Sequence, residues 1–250
     1  MEKQRHIVMV HGASHGAWCW YKVAALLKSS GHKVTALDLA ACGVNPEQVH
    51  QLKSISDYSE PLMDFMMSLP SEERVILVAH SFGGLVVSFA MERFPDKVSA
   101  GVFATAMMPG PDLSYKTLIE EYNRRIRIDE PDNPSTSQLF GPKSLSTYLY
   151  QLSPPEDLML GMMLRRPHPL FSNDAIEREA VFSRNRYGAV PRIYIVCGQD
   201  NMVNQDLQRW VIRTNPPDEV KVIPDSDHMV MFSKPQELCS CLEEIAKKYA

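Results

Sequence analysis

The sequence predicts an α/β protein with a mostly parallel sheet, flanked by helices and interrupted by an inserted cap. Short apolar runs alternate with amphipathic stretches in residues 1–106 and again in residues 191–250, which is typical of parallel strands joined by crossover helices. In between, residues 107–190 hold nine of the 18 prolines and show only short helical patches such as Leu158–Leu164. We therefore expect one core formed by the two outer ranges and a cap formed by residues 107–190.

Six short runs rich in apolar and β-branched residues predict the strands of the core. Such runs, bounded by turn-forming residues, are typical of buried strands. The predicted strands are His6–Val10, Lys33–Asp38, Arg74–Ala79, Val98–Ala106, Pro191–Cys197 and Glu219–Ile223.

Five amphipathic stretches predict the core helices. Gly31 ends the first of them, and Asp57 is a plausible N-cap for the second. The last one places Leu238, Leu242 and Ile245 on a single apolar stripe. The predicted helices are Trp18–Ser30, Asp57–Leu69, Phe82–Phe94, Val203–Thr214 and Gln236–Tyr249.

The composition excludes several classes of protein. Lys and Arg number 26 against 30 Asp and Glu, whereas a nucleic-acid partner usually demands a basic face. No apolar run approaches the ~20 residues that a membrane span needs. The five cysteines are an odd number and widely spread, and no apolar signal segment opens the chain. We therefore expect reduced thiols in a cytoplasmic protein.

The hexapeptide AHSFGG at residues 79–84 carries the strongest functional signal. It follows an apolar strand and precedes a helix, so Ser81 is expected on a sharp strand-to-helix turn that exposes its hydroxyl as a nucleophile. Ala79 stands where the usual G-x-S-x-G pattern has its first glycine. On its own, the same pattern is also compatible with a serine that only caps the helix.

A serine nucleophile needs a base, and the base needs a carboxylate to fix its tautomer. Asp200 and His228 each follow the end of a predicted strand, where functional groups collect in α/β sheets. The chain order Ser81, Asp200, His228 is that of the α/β-hydrolase triad.

Each of these residues also has a structural interpretation. Asp200 could be an ordinary turn former, and His228 is one of eight histidines. His168 is a rival base, although it lies between two prolines in the cap. Asp206, Asp225 and Asp227 could be turn formers as well. Three suitable groups in the right order at three strand ends favour the triad.

The transition state of ester hydrolysis also needs two N–H donors for its oxyanion. The amide of Phe82 follows the nucleophile directly, and the glycine-containing loop at residues 11–16 offers the amide of Ala13. His11 and His15 in that loop suggest a metal pair, but they flank glycines in a loop instead of sharing a helix face. We expect no metal site.

Methionines are frequent in the cap and near the proposed acid and base. Their adaptable side chains would suit a small apolar or aromatic acyl group, although methionines at helical spacing are also common in cores. They are Met107, Met108, Met159, Met162, Met163, Met202, Met229 and Met231. Candidate pocket residues are Gly12, His80, Met107 and Met229.

Long segments of the chain resemble the plant methylesterase family. The similarity covers essentially the whole chain and is weakest in the cap. The segments that carry it are HGASHGAWCW at 11–20, GHKVTALDLA at 31–40, DYSEPL at 57–62 and SDHMVMFSKP at 226–235. The family includes methyl salicylate and methyl jasmonate esterases, polyneuridine aldehyde esterase, hydroxynitrile lyases and methylketone synthase.

The resemblance implies an α/β-hydrolase core, no cofactor, a cytoplasmic location and frequently a homodimer. It assigns Ser81, Asp200 and His228 to the triad, and Ala13 and Phe82 to the oxyanion hole. The similar lyases carry Thr or Asn at the position of Gly12, some of them carry Lys at that of Met229, and methylketone synthase lacks the serine and the aspartate.

The sequence therefore predicts a serine carboxylesterase that cleaves methyl esters of small plant metabolites through an acyl-enzyme. Esters of salicylate, jasmonate, indole-acetate or an alkaloid acid all remain open as substrates. Two alternatives come from other classes of protein. One is a hydroxynitrile lyase that cleaves cyanohydrins, and the other is a non-catalytic receptor for a small ligand.

Overall fold

Six parallel strands form the central sheet of the computed structural model, which describes residues 4–125 and 136–249. The strands are β1 (His6–Val10), β2 (Lys33–Leu37), β3 (Val75–His80), β4 (Val98–Ala104), β7 (Arg192–Cys197) and β8 (Glu219–Ile223). Their order across the sheet is β2-β1-β3-β4-β7-β8, with every neighbouring pair parallel. All six predicted strands are present, with ends that differ by at most two residues.

Helices connect the strands and cover both faces of the sheet. They are α1 (Tyr21–Ser29), α2 (Ile55–Ser68), α3 (Gly83–Arg93), α8 (Gln205–Thr214), α9 (Val230–Ser233) and α10 (Pro235–Lys248). The prediction of Asp57 as the N-cap of α2 was wrong. Ser54 is the N-cap, and its hydroxyl accepts from the Asp57 N–H, while the Asp57 carboxylate accepts from the Ser54 N–H. The pair is a reciprocal capping box, in which Asp57 occupies the third helical position.

The apolar core consists of two clusters, one on each face of the sheet. Alternate residues of each strand point to opposite faces, so Val8 and Leu77 join one cluster while Ile7 and Ile76 join the other. The first cluster packs under α2, α3 and α8, and the second under α1 and α10. Burial on both faces explains why β1 and β3 are apolar almost throughout.

The segment between β4 and β7 lies outside the sheet, at the position predicted for the cap. Its described part contains α4 (Tyr115–Arg125), α5 (Pro142–Ser144), α6 (Pro155–Leu164), α7 (Asn173–Glu179) and an antiparallel pair of short strands, β5 (Ser137–Gln138) and β6 (His168–Pro169). Residues 126–135 of the predicted cap lie outside the described residues.

Polar contacts tie this segment to the core. The buried carboxylate of Asp157 on α6 accepts from Lys22 Nζ at 2.5 Å and from the Tyr21 hydroxyl at 3.0 Å. The carboxylate of Asp227, next to His228, accepts from the Leu152 N–H and the Ser153 hydroxyl. These contacts attach the segment to α1 and to the loop that carries His228. Within residues 4–125 and 136–249, no helix combines the length and the apolar character required to cross a bilayer.

Candidate active site

Ser81 occupies a sharp turn between the end of β3 and the start of α3. Its backbone has φ = 52°, a left-handed conformation that is uncommon for residues other than glycine. Gly83 and Gly84 allow this turn, because a Cβ at Gly83 would lie 2.5 Å from the His11 carbonyl oxygen and one at Gly84 1.9 Å from that of Met107. The close packing of the turn against two neighbouring loops forces the strained conformation, which is typical of functional sites.

The hydroxyl of Ser81 faces an imidazole that is in turn held by a carboxylate. His228 Nε2 lies 3.1 Å from Ser81 Oγ, and His228 Nδ1 lies 2.7 Å from Asp200 Oδ2. Asp200 follows β7 and His228 follows β8, so three separate strand ends contribute to the group. Both Asp200 and His228 are buried. The three residues predicted from the sequence thus form one connected hydrogen-bonded chain.

Asp200 accepts four hydrogen bonds, and sequence reasoning missed one of the two side-chain donors. Oδ1 accepts from the N–H groups of Met202 and Val203, and Oδ2 accepts from His228 and from the Thr105 hydroxyl at 2.5 Å. Thr105 follows β4 and is fully buried with φ = 40°, a clear outlier for a β-branched residue. No local motif marks it, because its contact with Asp200 depends on the pairing of β4 with β7.

We expect Thr105→Val to lower kcat by about tenfold with little change in KM, because the valine keeps the shape and removes a charge-assisted hydrogen bond to the carboxylate. Steady-state kinetics on a hydrolysed ester would measure both constants. Thr105→Ser restores the hydroxyl and should keep most of the activity. Equal losses in the two variants would show that the hydroxyl is unimportant.

His80 supports the loop that carries His228. Its Nε2 lies 2.8 Å from the His228 carbonyl oxygen, so this nitrogen carries the proton, and the two rings lie 4.7 Å apart. Its Nδ1 is buried without a partner among the described residues. Burial and the nearby His228 lower the pKa of His80 well below its usual range. His80 is therefore a neutral, rigid support on one side of the site.

The loop after β1 presents the Ala13 amide in a fixed direction. The Leu39 N–H donates to His11 Nε2 at 3.1 Å, so the other nitrogen, Nδ1, carries the proton and donates to the Gly12 carbonyl oxygen at 2.8 Å. That carbonyl and the Ala13 N–H belong to one planar trans peptide and point in opposite directions. His11 thus orients the Ala13 N–H. Within the described residues, neither this N–H nor that of Phe82 donates to another group.

His11 and His15 use their ring nitrogens in contacts within the protein. His15 lies 2.8 Å from the Ala13 carbonyl oxygen and 2.7 Å from the Tyr150 hydroxyl, and its ring stacks against Trp18 and Tyr150. Together with the contacts of His11, these bonds build the loop. Both nitrogens of each ring are therefore engaged within the protein, and the two imidazoles cannot bind one metal ion together.

Four buried histidines at the site are held neutral. Burial lowers the pKa of His15 to about 4 and that of His168 to about 3. Burial likewise lowers the pKa of His11 and of His80. The unfolded chain would protonate such rings below about pH 6.5, whereas the folded chain excludes the proton from them.

The free energy of unfolding should therefore fall as the pH drops below about 6.5, by up to about 1.4 kcal/mol per pH unit for each such histidine. Urea unfolding at pH 7.5 and 5.5 measures this loss. The His168→Phe variant lacks one of the rings, so its loss between the two pH values should be smaller by about 1.4 kcal/mol. Identical losses in the two proteins would contradict the assignment of His168 as a buried neutral ring.

A cavity of 840 Å³ opens over Ser81 and is lined by Ala13, Phe82 and His228. Its walls come mainly from apolar and aromatic side chains of the segment between β4 and β7 and of α8. They include Tyr115, Leu118, Ile119, Tyr122, Phe140, Leu149, Phe171, Ile176, Leu207 and Val211. The volume and character of this cavity are typical of sites for small organic ligands.

Only part of the predicted pocket lines this cavity. Of the four candidate pocket residues, His80 and Met107 do so, and Met202 joins them from the other methionines. Met229, predicted there, is instead fully buried in the core cluster beneath α1 and α10, as the N-cap of α9. Met159 and Met163 of α6 are exposed, at 56% and 73%.

Gly12, also predicted there, lies directly against Ser81 and His80 and does not line the cavity. A Cβ at Gly12 would lie 2.8 Å from Ser81 Cβ and 2.9 Å from His80 Nδ1. These contacts leave no room for a side chain at position 12.

Comparisons with known proteins show which families and structures this chain is similar to. A sequence profile described as the alpha/beta hydrolase family matches residues 7–240. The chain is 55% identical to methyl jasmonate esterase 1 of Vitis vinifera over the full length of both, and 50% identical to methylesterase 3 of Arabidopsis thaliana over 100% of this chain and 98% of that protein. Among solved structures, tomato methylketone synthase I matches with a TM-score of 0.94 and 47% identity, over 99% of this chain and 100% of that one.

Proposed function

We infer the function of this chain from its family, because it belongs to the alpha/beta hydrolases and, within them, to the plant methylesterases. It is an esterase that hydrolyses methyl esters of small plant metabolites. The observation that carries the proposal is the hydrogen-bonded chain from Ser81 through His228 to Asp200 at the base of a largely apolar cavity. A protein that only binds its ligand has no need of a base aligned on a serine hydroxyl.

The reaction begins when Ser81 Oγ attacks the ester carbonyl while His228 Nε2 takes the hydroxyl proton. The N–H groups of Ala13 and Phe82 bind the oxyanion, each contributing roughly 3 kcal/mol of transition-state stabilisation. His228 then delivers the proton to the departing methoxy oxygen, and methanol leaves. Water, activated by His228, cleaves the acyl-enzyme and releases the acid. Asp200 keeps the imidazole in the required tautomer throughout.

The space around Gly12 argues against cyanohydrin cleavage as the main activity. A side chain at this position, which the similar lyases have, would collide with Ser81 and His80 in this arrangement. Turnover of mandelonitrile at rates that rival ester hydrolysis would overturn this ranking.

A panel of methyl esters tests the proposed function. Methyl jasmonate, methyl salicylate, methyl indole-acetate and an alkaloid methyl ester are candidates, since esters of all four classes are compatible with a cavity of this volume. Release of acid and methanol should be seen for at least one of them. Tight binding of several esters without any release would support a receptor and contradict the esterase.

We further propose that the protein is cytoplasmic and forms a homodimer. The five cysteines are all unpaired and four are buried, as expected in a reducing compartment. Helix α6 leaves Met159, Met163 and Leu164 exposed, and an apolar helix surface of this kind is typical of an interface. Light scattering of the purified protein would measure its mass, and a monomer across a wide concentration range would exclude the dimer.

A further inference from the structure

His168 is a buried imidazole with no hydrogen-bond partner among the described residues, and it lines the cavity over Ser81. Its Nδ1 is enclosed by protein, so Nε2 is the nitrogen that a bound ligand can reach. Buried polar side chains in native proteins nearly always have a partner, and an exception calls for an explanation.

The surrounding contacts hold His168 in place and prevent it from finding a partner elsewhere. Two residues before it, the Arg166 N–H donates to the Ser14 carbonyl oxygen, and the Arg166 guanidinium donates to the carbonyl oxygens of Asn45 and Glu47, each at 2.6 Å. Prolines flank His168 on both sides, and its backbone pairs with that of Gln138 in the short β5–β6 ladder. The ring is therefore preorganised for a ligand, which lowers the entropic penalty of binding.

The ring lies beside the site of reaction. Its centroid is 4.5 Å from that of Phe82, the residue whose amide serves the oxyanion, and 5.4 Å from that of Tyr58, both in edge-to-face contact. The cavity wall also includes apolar side chains such as Leu118 and Ile119. His168 thus places an imidazole in the cavity wall against the side chain of Phe82, the residue that follows Ser81.

The neutrality of this ring narrows the class of ligand. Because burial holds its pKa near 3, the imidazole offers one donor or acceptor and no positive charge at neutral pH. Such a group can hydrogen-bond a neutral carbonyl or hydroxyl oxygen, and it lacks the positive charge that would attract an anion.

We propose that His168 selects the acyl group by hydrogen-bonding, through Nε2, a second neutral oxygen that the acyl group carries besides the ester. The preferred substrates are then methyl esters of oxo- or hydroxy-acids, and the plain hydrocarbon analogues are poor ones. This inference rests on the proposed esterase function, because it assigns the substrate class of the same site.

Matched pairs of esters test the inference. One pair is methyl (3-oxocyclopentyl)acetate and methyl cyclopentylacetate, and the other is methyl salicylate and methyl benzoate. The value of kcat/KM for each ester would be measured in the wild type, in His168→Phe, which keeps a ring against Phe82 and Tyr58, and in His168→Gln, which keeps a polar group near the position of Nε2. His50→Phe serves as the matched control, since His50 is an exposed histidine that does not line the cavity.

In the wild type, the oxygen-bearing ester of at least one pair should be preferred by about tenfold or more. The preference should disappear in His168→Phe, persist in part in His168→Gln and remain in His50→Phe. The pair that shows the effect tells whether the recognised oxygen belongs to a ketone or to a hydroxyl. An unchanged preference in His168→Phe, or the absence of any preference in the wild type, would overturn the inference while leaving the esterase intact.

Binding measurements distinguish the proposed esterase function from the proposed role of His168. In a Ser81→Ala background, the dissociation constant of each intact ester can be measured by calorimetric titration without turnover. A binding preference that depends on His168, combined with no hydrolysis by the wild type, would contradict the esterase and support the role of His168. Equal binding of both members of each pair would contradict that role whatever the turnover.

Discussion

Ser81→Ala is expected to lower kcat for every hydrolysed methyl ester by at least about 10⁴-fold, with the fold preserved. The variant lacks the only hydroxyl within reach of His228 Nε2 among the described residues. Alanine fits the tight turn about as well as serine does, because neither residue is branched at Cβ and the change only removes the hydroxyl at φ = 52°. Stopped assays of acid release, together with a thermal unfolding curve, would measure both effects.

Ser88→Ala provides the matched control for this result. Ser88 is a second buried serine on α3, and its hydroxyl donates to the Gly84 carbonyl oxygen within the helix. The same chemical change there should leave kcat within about twofold, since a neutral intrahelical bond contributes little. Near-normal turnover in Ser81→Ala, or an equal loss in both variants, would rule out Ser81 as the nucleophile.

The sequence identified the three groups that the structure connects because each one follows a strand of a parallel sheet. Ser81, Asp200 and His228 are far apart in the chain, but the carboxyl ends of β3, β7 and β8 lie along one edge of the sheet. Periodicity in the sequence locates such strand ends to within a residue or two. The topology then determines which loops meet.

The parts of the site that escaped prediction depend on contacts between distant segments. Thr105 reaches Asp200 because β4 pairs with β7, which brings the Thr105 N–H to the Ile195 carbonyl oxygen at 3.0 Å. His168 looked unsuitable because two prolines flank it, yet the same prolines and the anchored Arg166 hold it in the cavity wall. No local pattern marks Thr105, and the sequence offers His168 only as a rival base.

Two further errors have local causes. Ser54 and Asp57 are both good N-cap residues, and spacing alone does not tell which of the two accepts the other's N–H. Met229 is predicted in the pocket because it adjoins His228, but it is the N-cap of α9 and packs with that helix into the core. The predicted N-cap lies three residues too late in the chain. The predicted pocket methionine belongs to the core instead of the cavity.

Asp200→Asn should lower kcat by about 10⁴-fold while the protein remains folded. All four contacts of the carboxylate are donors: the N–H groups of Met202 and Val203 at Oδ1, and the Thr105 hydroxyl and His228 Nδ1 at Oδ2. An amide nitrogen at the Oδ1 position would face two backbone N–H groups that cannot turn away. At the Oδ2 position it meets the Thr105 hydroxyl, which can rotate to accept.

The amide nitrogen of the introduced asparagine would therefore take the Oδ2 position and donate to His228 Nδ1. The proton of the neutral imidazole would then reside on Nε2, which faces Ser81 Oγ at 3.1 Å and could no longer accept its proton. Asp206→Asn, at an exposed position on α8, gives the matched control and should retain full activity. If Asp200→Asn instead kept more than about a tenth of kcat, Asp200 would serve the structure of the loop and not the tautomer of His228, because only the tautomer requires a loss this large.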